Sequence, residues 1–253
     1  VNNKANQFSV DESLPDLEHG RQSIIHTLGQ ERYNHVLASI YTCRSDPSIV
    51  VRNDAIHVWK SLVTNTPRTV KNIIGVILNI CIRIIKSSNE ERQTTAETAI
   101  SEIILKNGSG ILSAISPVIE KSASNLSDVE TRSGTILILS VILSHLDKEG
   151  SEDFIETSIQ LVRDALIDEF AEVREAGAIS FDKLQQLIGR DAVDYILPDL
   201  LNKLRGHSQD DEVSEESTYI LDALRKLMSV RANTIFPILI PTLLEKPISV
   251  FNV

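Results

Sequence analysis

The stretch Asp168-Glu169-Phe170-Ala171-Glu172-Val173-Arg174-Glu175, running on to Phe181, Leu184 and Ile188, decides the fold. It opens as a polar turn, places an arginine near the helix start, and then spaces its large apolar residues by three and four along one helical face. The pattern recurs. Arg52, Arg92, Arg132 and Arg174 stand at spacings of 40, 40 and 42 residues. A further 40 residues on, Glu212-Val213-Ser214-Glu215 repeats Glu172-Val173-Arg174-Glu175 with serine in the arginine position. The apolar register follows: Leu139, Ile142 and Leu146; Trp59, Leu62 and Thr66; and, in the last copy, Leu221, Leu224 and Met228. This register predicts Trp59, Leu139, Phe181 and Leu221 at equivalent buried positions.

Each copy has a second amphipathic segment. These cover roughly Glu31 to Thr42, Arg68 to Ile85, Ile111 to Lys121, Asp153 to Ile167, Ala192 to Leu204 and Ala232 to Leu244. Pro117, Pro198, Pro237 and Pro241 fall in or at the edge of these helices, where proline kinks or shortens them. Two helices per unit of about 40 residues is the period of HEAT and armadillo arrays. The fold class expected is therefore all-α, an α-α superhelix of five to six hairpins. The units run approximately 30–66, 67–107, 109–148, 150–189, 190–229 and 230–253, as one continuous array over 19–253 behind a polar lead-in, 1–18. One hairpin cannot bury its apolar face alone; stacking buries it, and stability becomes a sum over neighbours.

Composition agrees. The 253 residues are 42% hydrophobic but only 4% aromatic, with ten Gly and eight Pro, too few turn formers for an all-β chain. Cys43 and Cys81 lack a partner motif and read as two buried free thiols. No apolar run approaches the length of a membrane span; Thr135 to Leu143 is too short. The chain, beginning at Val1 and stopping at Val253 soon after an apolar helix, reads as a piece of a longer protein.

Little in the sequence suggests catalysis. Lys106-Asn107-Gly108-Ser109-Gly110 follows a helix and lacks the Lys-Ser/Thr ending of a phosphate loop, so it reads as a helix stop. Six histidines form no metal-ligand spacing, and His57, beside Trp59, reads as a packing residue. The carboxylates Asp210-Asp211-Glu212 and Glu215-Glu216 read as a solvated helix start. No catalytic, cofactor or metal site is expected, no small-molecule substrate, and no enzyme activity.

Charge is uneven along the chain. The overall net charge is −10, which disfavours a free-standing nucleic-acid-binding domain. Between Arg44 and Ser88, however, seven basic residues face only Asp46 and Asp54. Between Gly150 and Asp222, eighteen acidic residues outnumber six basic ones. This is either ordinary surface drift, or a basic end that meets phosphate or an acidic protein and an acidic end that meets a basic surface. On the second reading Lys60, Arg68, Lys71, Arg83 and Lys86 are the candidate contacts. Arg52 is expected to be held by the repeat itself.

A resemblance gives this a setting. Arg32-Tyr33-Asn34-His35-Val36-Leu37, Arg44-Ser45-Asp46, His57-Val58-Trp59-Lys60 and Asn65-Thr66-Pro67-Arg68-Thr69-Val70 resemble the family of large ribosome-associated HEAT proteins that activate the initiation factor 2-alpha kinase in general amino-acid control. Glu172-Val173-Arg174-Glu175-Ala176 and Ile196-Leu197-Pro198 add weaker matches, and the likeness covers nearly everything after residue 20. Asp46 with Arg52, and Asp168 with Arg174, each six apart, resemble the HEAT turn-plus-arginine signature. In HEAT proteins such side chains form a ladder between repeats. The resemblance implies a cytoplasmic, non-catalytic scaffold whose partners are the ribosome and the RWD-containing kinase, with no membrane association. It further implies a segment lying after the part similar to fungal elongation factor 3, and before or overlapping the RWD-binding part. The alternative is a HEAT adaptor of transport or phosphatase-scaffold type, binding peptides or proteins.

Overall fold

The computed structural model describes residues 14–207 and 215–244. Eleven α-helices and one 3-10 turn make up the regular structure of these residues, with no strand among them. In order they are α1 (Leu14–Leu28), α2 (Gln30–Cys43), α3 (Ile49–Leu62), α4 (Thr66–Ile85), α5 (Glu90–Asn107), the turn Gly108–Ile111, α6 (Leu112–Ala123), α7 (Val129–Leu143), α8 (Glu152–Leu166), α9 (Ala171–Ile188), α10 (Asp191–His207) and α11 (Glu215–Leu244). The segment read as a lead-in lies outside the described residues up to residue 13, and the chain is helical from Leu14. Ser214 and the acidic run Asp210-Asp211-Glu212 also lie outside them.

The chain divides into two compact units, residues 1–80 and 81–253. In the first, α1 packs on α2, and both pack on α3. Tyr41 and Trp59 meet edge to face at 5.1 Å, and the Arg44 guanidinium stacks on both rings, 4.6 Å and 5.4 Å from their centroids. The Trp59 indole N–H donates to Thr66 Oγ1 at 2.9 Å, tying the end of α3 to the start of α4.

The second unit shows the solenoid principle directly. α5 packs on α7, α7 on α9 and α9 on α11; in a second layer, α6 packs on α8 and α8 on α10. Every other helix stacks on its own kind, as nearest-neighbour repeats require. The HEAT/armadillo-type α-α solenoid is therefore the fold. α7 lies at its centre and is buried on almost every side, from Arg132 through Ile136 and Leu139 to Leu143. Two small residues let the helices approach. A Cβ on Gly134 would stand 2.5 Å from the Ile82 carbonyl oxygen, and one on Gly177 would stand 3.0 Å from the Leu166 nitrogen. Ser180 Oγ, fully buried, donates across the α9–α7 interface to the Ile136 carbonyl at 2.7 Å.

The arginine ladder is present, with a corrected register. Arg174 Nη1 donates to the carbonyls of Asp168 and Glu169, and its Nε donates to Asp222 at 2.9 Å. Arg132 Nη1 donates to Asn125 and Leu126, while its Nε and Nη2 grip the Asp168 carboxylate at 3.1 Å each. Arg52 Nη1 likewise donates to the Asp46 and Pro47 carbonyls. Arg92 does not belong to this series: it is exposed, and Gln93 takes the position, its amide donating to the Ser87 carbonyl at 2.7 Å. With Gln93 in place, Ile100 and Ile103 fall into line with Phe181 and Leu184, and both are fully buried.

The last copy is also shifted. Ser217, Ile220, Leu224 and Leu227 repeat the placement of Arg174, Gly177, Phe181 and Leu184. The offset is thus 43 residues rather than 40. Trp59, Leu139 and Phe181 are buried as expected, but Leu221 is 39% exposed and Leu224 fills its place. Three further expectations are corrected. Cys43 is exposed rather than buried, because it ends α2 on the side away from Tyr41 and Thr42. His57 is exposed, one face away from the buried Trp59. The helix expected from Ala232 is the second half of α11, which runs unbroken from Glu215 with Pro237 and Pro241 inside it.

Candidate macromolecular interface

The five candidate cations fall into two groups. Lys60, Arg68 and Lys71 flank the turn between α3 and α4 and are all exposed. The turn is shaped by Asn65, whose side-chain oxygen accepts the Arg68 backbone N–H at 3.0 Å, and by Pro67, tolerated in the first helical turn because its missing N–H has no partner to lose. Lys60 sits in the last turn of α3, where a positive charge suits the helix dipole, and this alone explains it. Arg68 and Lys71 stand at the opposite pole. The first turn of α4 carries no acidic residue, so cations there oppose the dipole, a cost of roughly 0.3–1 kcal/mol for each charge in that turn. None of the three makes an ion pair with a described residue. Of the two, Arg68 stands in that first turn and Lys71 one turn further along α4, both facing solvent without an acidic partner among the described residues.

Arg83 and Lys86 are differently placed. Lys86 Nζ is bonded to Glu172 at 2.8 Å, and its side chain is only 21% exposed. The bond holds the Glu172 carboxyl below its ordinary range, through the hydrogen bond first and the charge second. Lys86 therefore spends its charge inside the protein. Arg83 is exposed; the Asp128 carboxyl is held below its ordinary range by the hydrogen bonds from Thr131 that cap α7, then by the Arg132 charge, with Arg83 adding least. Arg44, counted among the basic residues of the sequence, is committed to its aromatic stack. Aromatic stacking leaves no mark in the periodicity, although Tyr41 and Arg44, three apart at a helix end, are the trace it could have left.

Elsewhere among the described residues no site of group chemistry emerges. Cys43, although exposed, has its thiol pushed up by partial desolvation and then by the Asp46 charge, the opposite of an activated thiolate. Gly108, at φ 57, ends α5, as the glycine-rich stretch implied. Among the described residues no group of His, Cys, Asp and Glu could hold a metal ion, and no helix is long and apolar enough to cross a membrane.

No family model matches the chain. Among curated proteins it is 36% identical over 247 residues to the eIF-2-alpha kinase activator GCN1 of Saccharomyces cerevisiae, a match covering 98% of the chain and 9% of the relative. It is 36% identical over 228 residues to the stalled ribosome sensor GCN1 of Homo sapiens, covering 90% of the chain and 8% of the relative. To the eIF-2-alpha kinase activator GCN1 of Dictyostelium discoideum it is 34% identical over 226 residues, covering 89% of the chain and 8% of the relative. The chain thus spans less than a tenth of the length of these three relatives, each of which is named GCN1.

Proposed function

We propose that this chain is a non-catalytic scaffold segment of a ribosome-associated activator of the eIF-2-alpha kinase, working in the cytoplasm during amino-acid starvation. Its partners on this reading are the ribosome and the RWD-containing kinase. The observation that carries the reading is 36% identity sustained over 98% of the chain to a yeast protein named for that activation. The name of the human relative, a stalled ribosome sensor, points to the ribosome as the surface read. The physical support is the α3–α4 corner: Lys60, Arg68 and Lys71 are exposed and unpaired, whereas the ladder arginines are held by carbonyls and carboxylates. Cations that hold no internal partner can meet ribosomal phosphate without first breaking an ion pair.

Phosphate contacts made by Lys and Arg release counterions, so binding weakens steeply with salt. The test is ribosome co-sedimentation of the chain and its Arg68→Glu/Lys71→Glu variant at low and moderate salt. The parent should sediment with ribosomes at low salt and less at moderate salt, and the variant should lose most of that binding while keeping its helical circular dichroism. Equal binding by parent and folded variant at both salts would overturn the ribosome contact at this corner. Recovery of phosphatase or transport-cargo subunits in place of ribosomal proteins would turn the reading to an adaptor.

A further inference from the structure

The acidic half of the chain holds a groove that the basic-corner reading does not use. It lies between α8 and α10 in the second unit and encloses about 650 Å³. Its floor is apolar: Ile155, Ile159, Ile188 and Pro198. On the α8 wall stand Glu152 and Glu156, and on the α10 wall Asp191 and Tyr195. Each pair is four residues apart, so each points to the same side of its helix. Tyr195 is 60% exposed, an unusual position for an aromatic ring in a chain with so few.

The charge balance is lopsided. Five carboxylates line the groove against two cations. Both cations are already matched, Lys148 to Asp191 at 3.3 Å and Arg163 to Asp199 at 2.7 Å. Asp194 meets Arg190 beyond the lining at 3.4 Å. Glu156 has no cation among the described residues, and Glu152 meets backbone N–H groups, its own and that of Gly150 at 3.1 Å, but no cation among the described residues. An apolar floor, an open tyrosine face and uncompensated carboxylates on the rim together define the complement. It is an aliphatic side chain for the floor and a guanidinium or ammonium group that stacks on the ring while facing the rim acids.

We propose that this groove docks a segment of a partner protein in which arginine or lysine alternates with aliphatic residues. Nucleic acid is disfavoured because the rim carboxylates repel phosphate. The proposal stands apart from the ribosome contact, since it uses different residues, a different unit and the opposite charge.

The experiment is fluorescence anisotropy with the whole chain and a short fluorescein-labelled peptide of alternating Arg and Leu. Two control peptides replace Arg by Glu or Leu by Ser. The Arg-Leu peptide should bind, and both controls should bind at least about tenfold more weakly, the equivalent of one lost charge or apolar contact. Glu156→Lys and Tyr195→Ala should each weaken the Arg-Leu peptide about tenfold. Tyr195→Phe, which keeps the ring, should restore binding, and Glu97→Lys, an exposed reversal on α5, should leave it unchanged. The altered side chains are exposed, so the fold should survive, as circular dichroism can confirm. Absence of binding by the parent overturns the proposal. So does equal binding of the Glu or Ser peptide, or a response to Glu97→Lys as large as that to Glu156→Lys.

Discussion

Asp168 accepts hydrogen bonds from three residues at once. Its carboxylate takes the Arg132 guanidinium, its Oδ1 also accepts the Phe170 N–H that opens α9, and its carbonyl accepts Arg174. The same residue thus closes one rung of the ladder and starts the next. Arg132→Ala would leave the Asp168 carboxylate without its partner in a site only 14% exposed. We expect a loss of roughly 3 kcal/mol, the lower end for a broken buried pair because Asp168 keeps some water. In urea unfolding, Asp168→Ala added to Arg132→Ala should cost little more, and additive losses would contradict a rung. The next rung titrates. Burial pushes the Asp222 carboxyl up, but hydrogen bonds from Arg174 and Arg225, with the Lys226 charge, outweigh this and hold it below the ordinary aspartate value of 3.8. A depressed folded value means the stabilisation is complete above 3.8 and is lost as pH falls through the lower folded value. Asp222→Asn should therefore lower stability at neutral pH and flatten its acid-side decline, as unfolding curves between pH 7 and 3 would report. The arginines were legible in the sequence because a charge at a buried helix start must find carbonyls, which restricts the residue type. Gln93 was not, since an amide serves the same carbonyl and Arg92 beside it imitates the period.

At the scale of the element, the decisive feature is how closely α7 approaches α4 and α9 approaches α8. Gly134→Ala would improve helix propensity by about 1 kcal/mol in an isolated helix. Here the new methyl would meet the Ile82 carbonyl, which belongs to backbone and cannot rotate away. Overpacking of this kind costs typically 1–3 kcal/mol, so the net change should be a loss, and a gain on urea unfolding would show that α7 can slide freely. Leu184→Ala, at a fully buried position of α9, should cost about 2–5 kcal/mol. Because α9 packs on α7, α8, α10 and α11, hydrogen exchange should show lost protection in those helices as well, whereas loss confined to α9 would contradict nearest-neighbour coupling. Helix positions were readable: α2, α4, α6, α8 and α10 lie within a few residues of the segments that periodicity marks. The reading failed at α11. A repeat length of 40 demands a break near residue 230, but Ser229-Val230-Arg231-Ala232 holds neither Gly nor Pro, and the helix continues. The same assumed period put Leu221 in the core, although a longer connection into α11 moves the register by three.

For the whole molecule, the sequence made the fold plain and the partner surfaces only partly so. Counting charges marked residues 44–88 as basic, but counting cannot tell a guanidinium stacked on Tyr41 and Trp59, or an ammonium bonded to Glu172, from one facing solvent. Geometry leaves Arg68 and Lys71 exposed, without an ion pair among the described residues and without a helix-dipole role. The α8–α10 groove was invisible for the related reason that its walls come from helices forty residues apart. Arg83→Glu, in contrast to reversal at Arg68 and Lys71, should change ribosome co-sedimentation little, because Arg83 stands in the last turn of α4, where a positive charge serves the helix dipole; a loss as large as that of the Arg68/Lys71 pair would move the contact surface. The central claim is that this chain serves as a working segment of an eIF-2-alpha kinase activator, and exchange into the yeast relative tests it most directly. The matching 247-residue stretch of yeast GCN1 is either deleted or replaced by this chain, and phosphorylation of the initiation factor is measured on amino-acid starvation. The account predicts that deletion abolishes the response and that replacement restores most of it, with restoration lost again in the Arg68→Glu/Lys71→Glu version. A replacement that folds and is expressed, yet responds no better than the deletion, would contradict it.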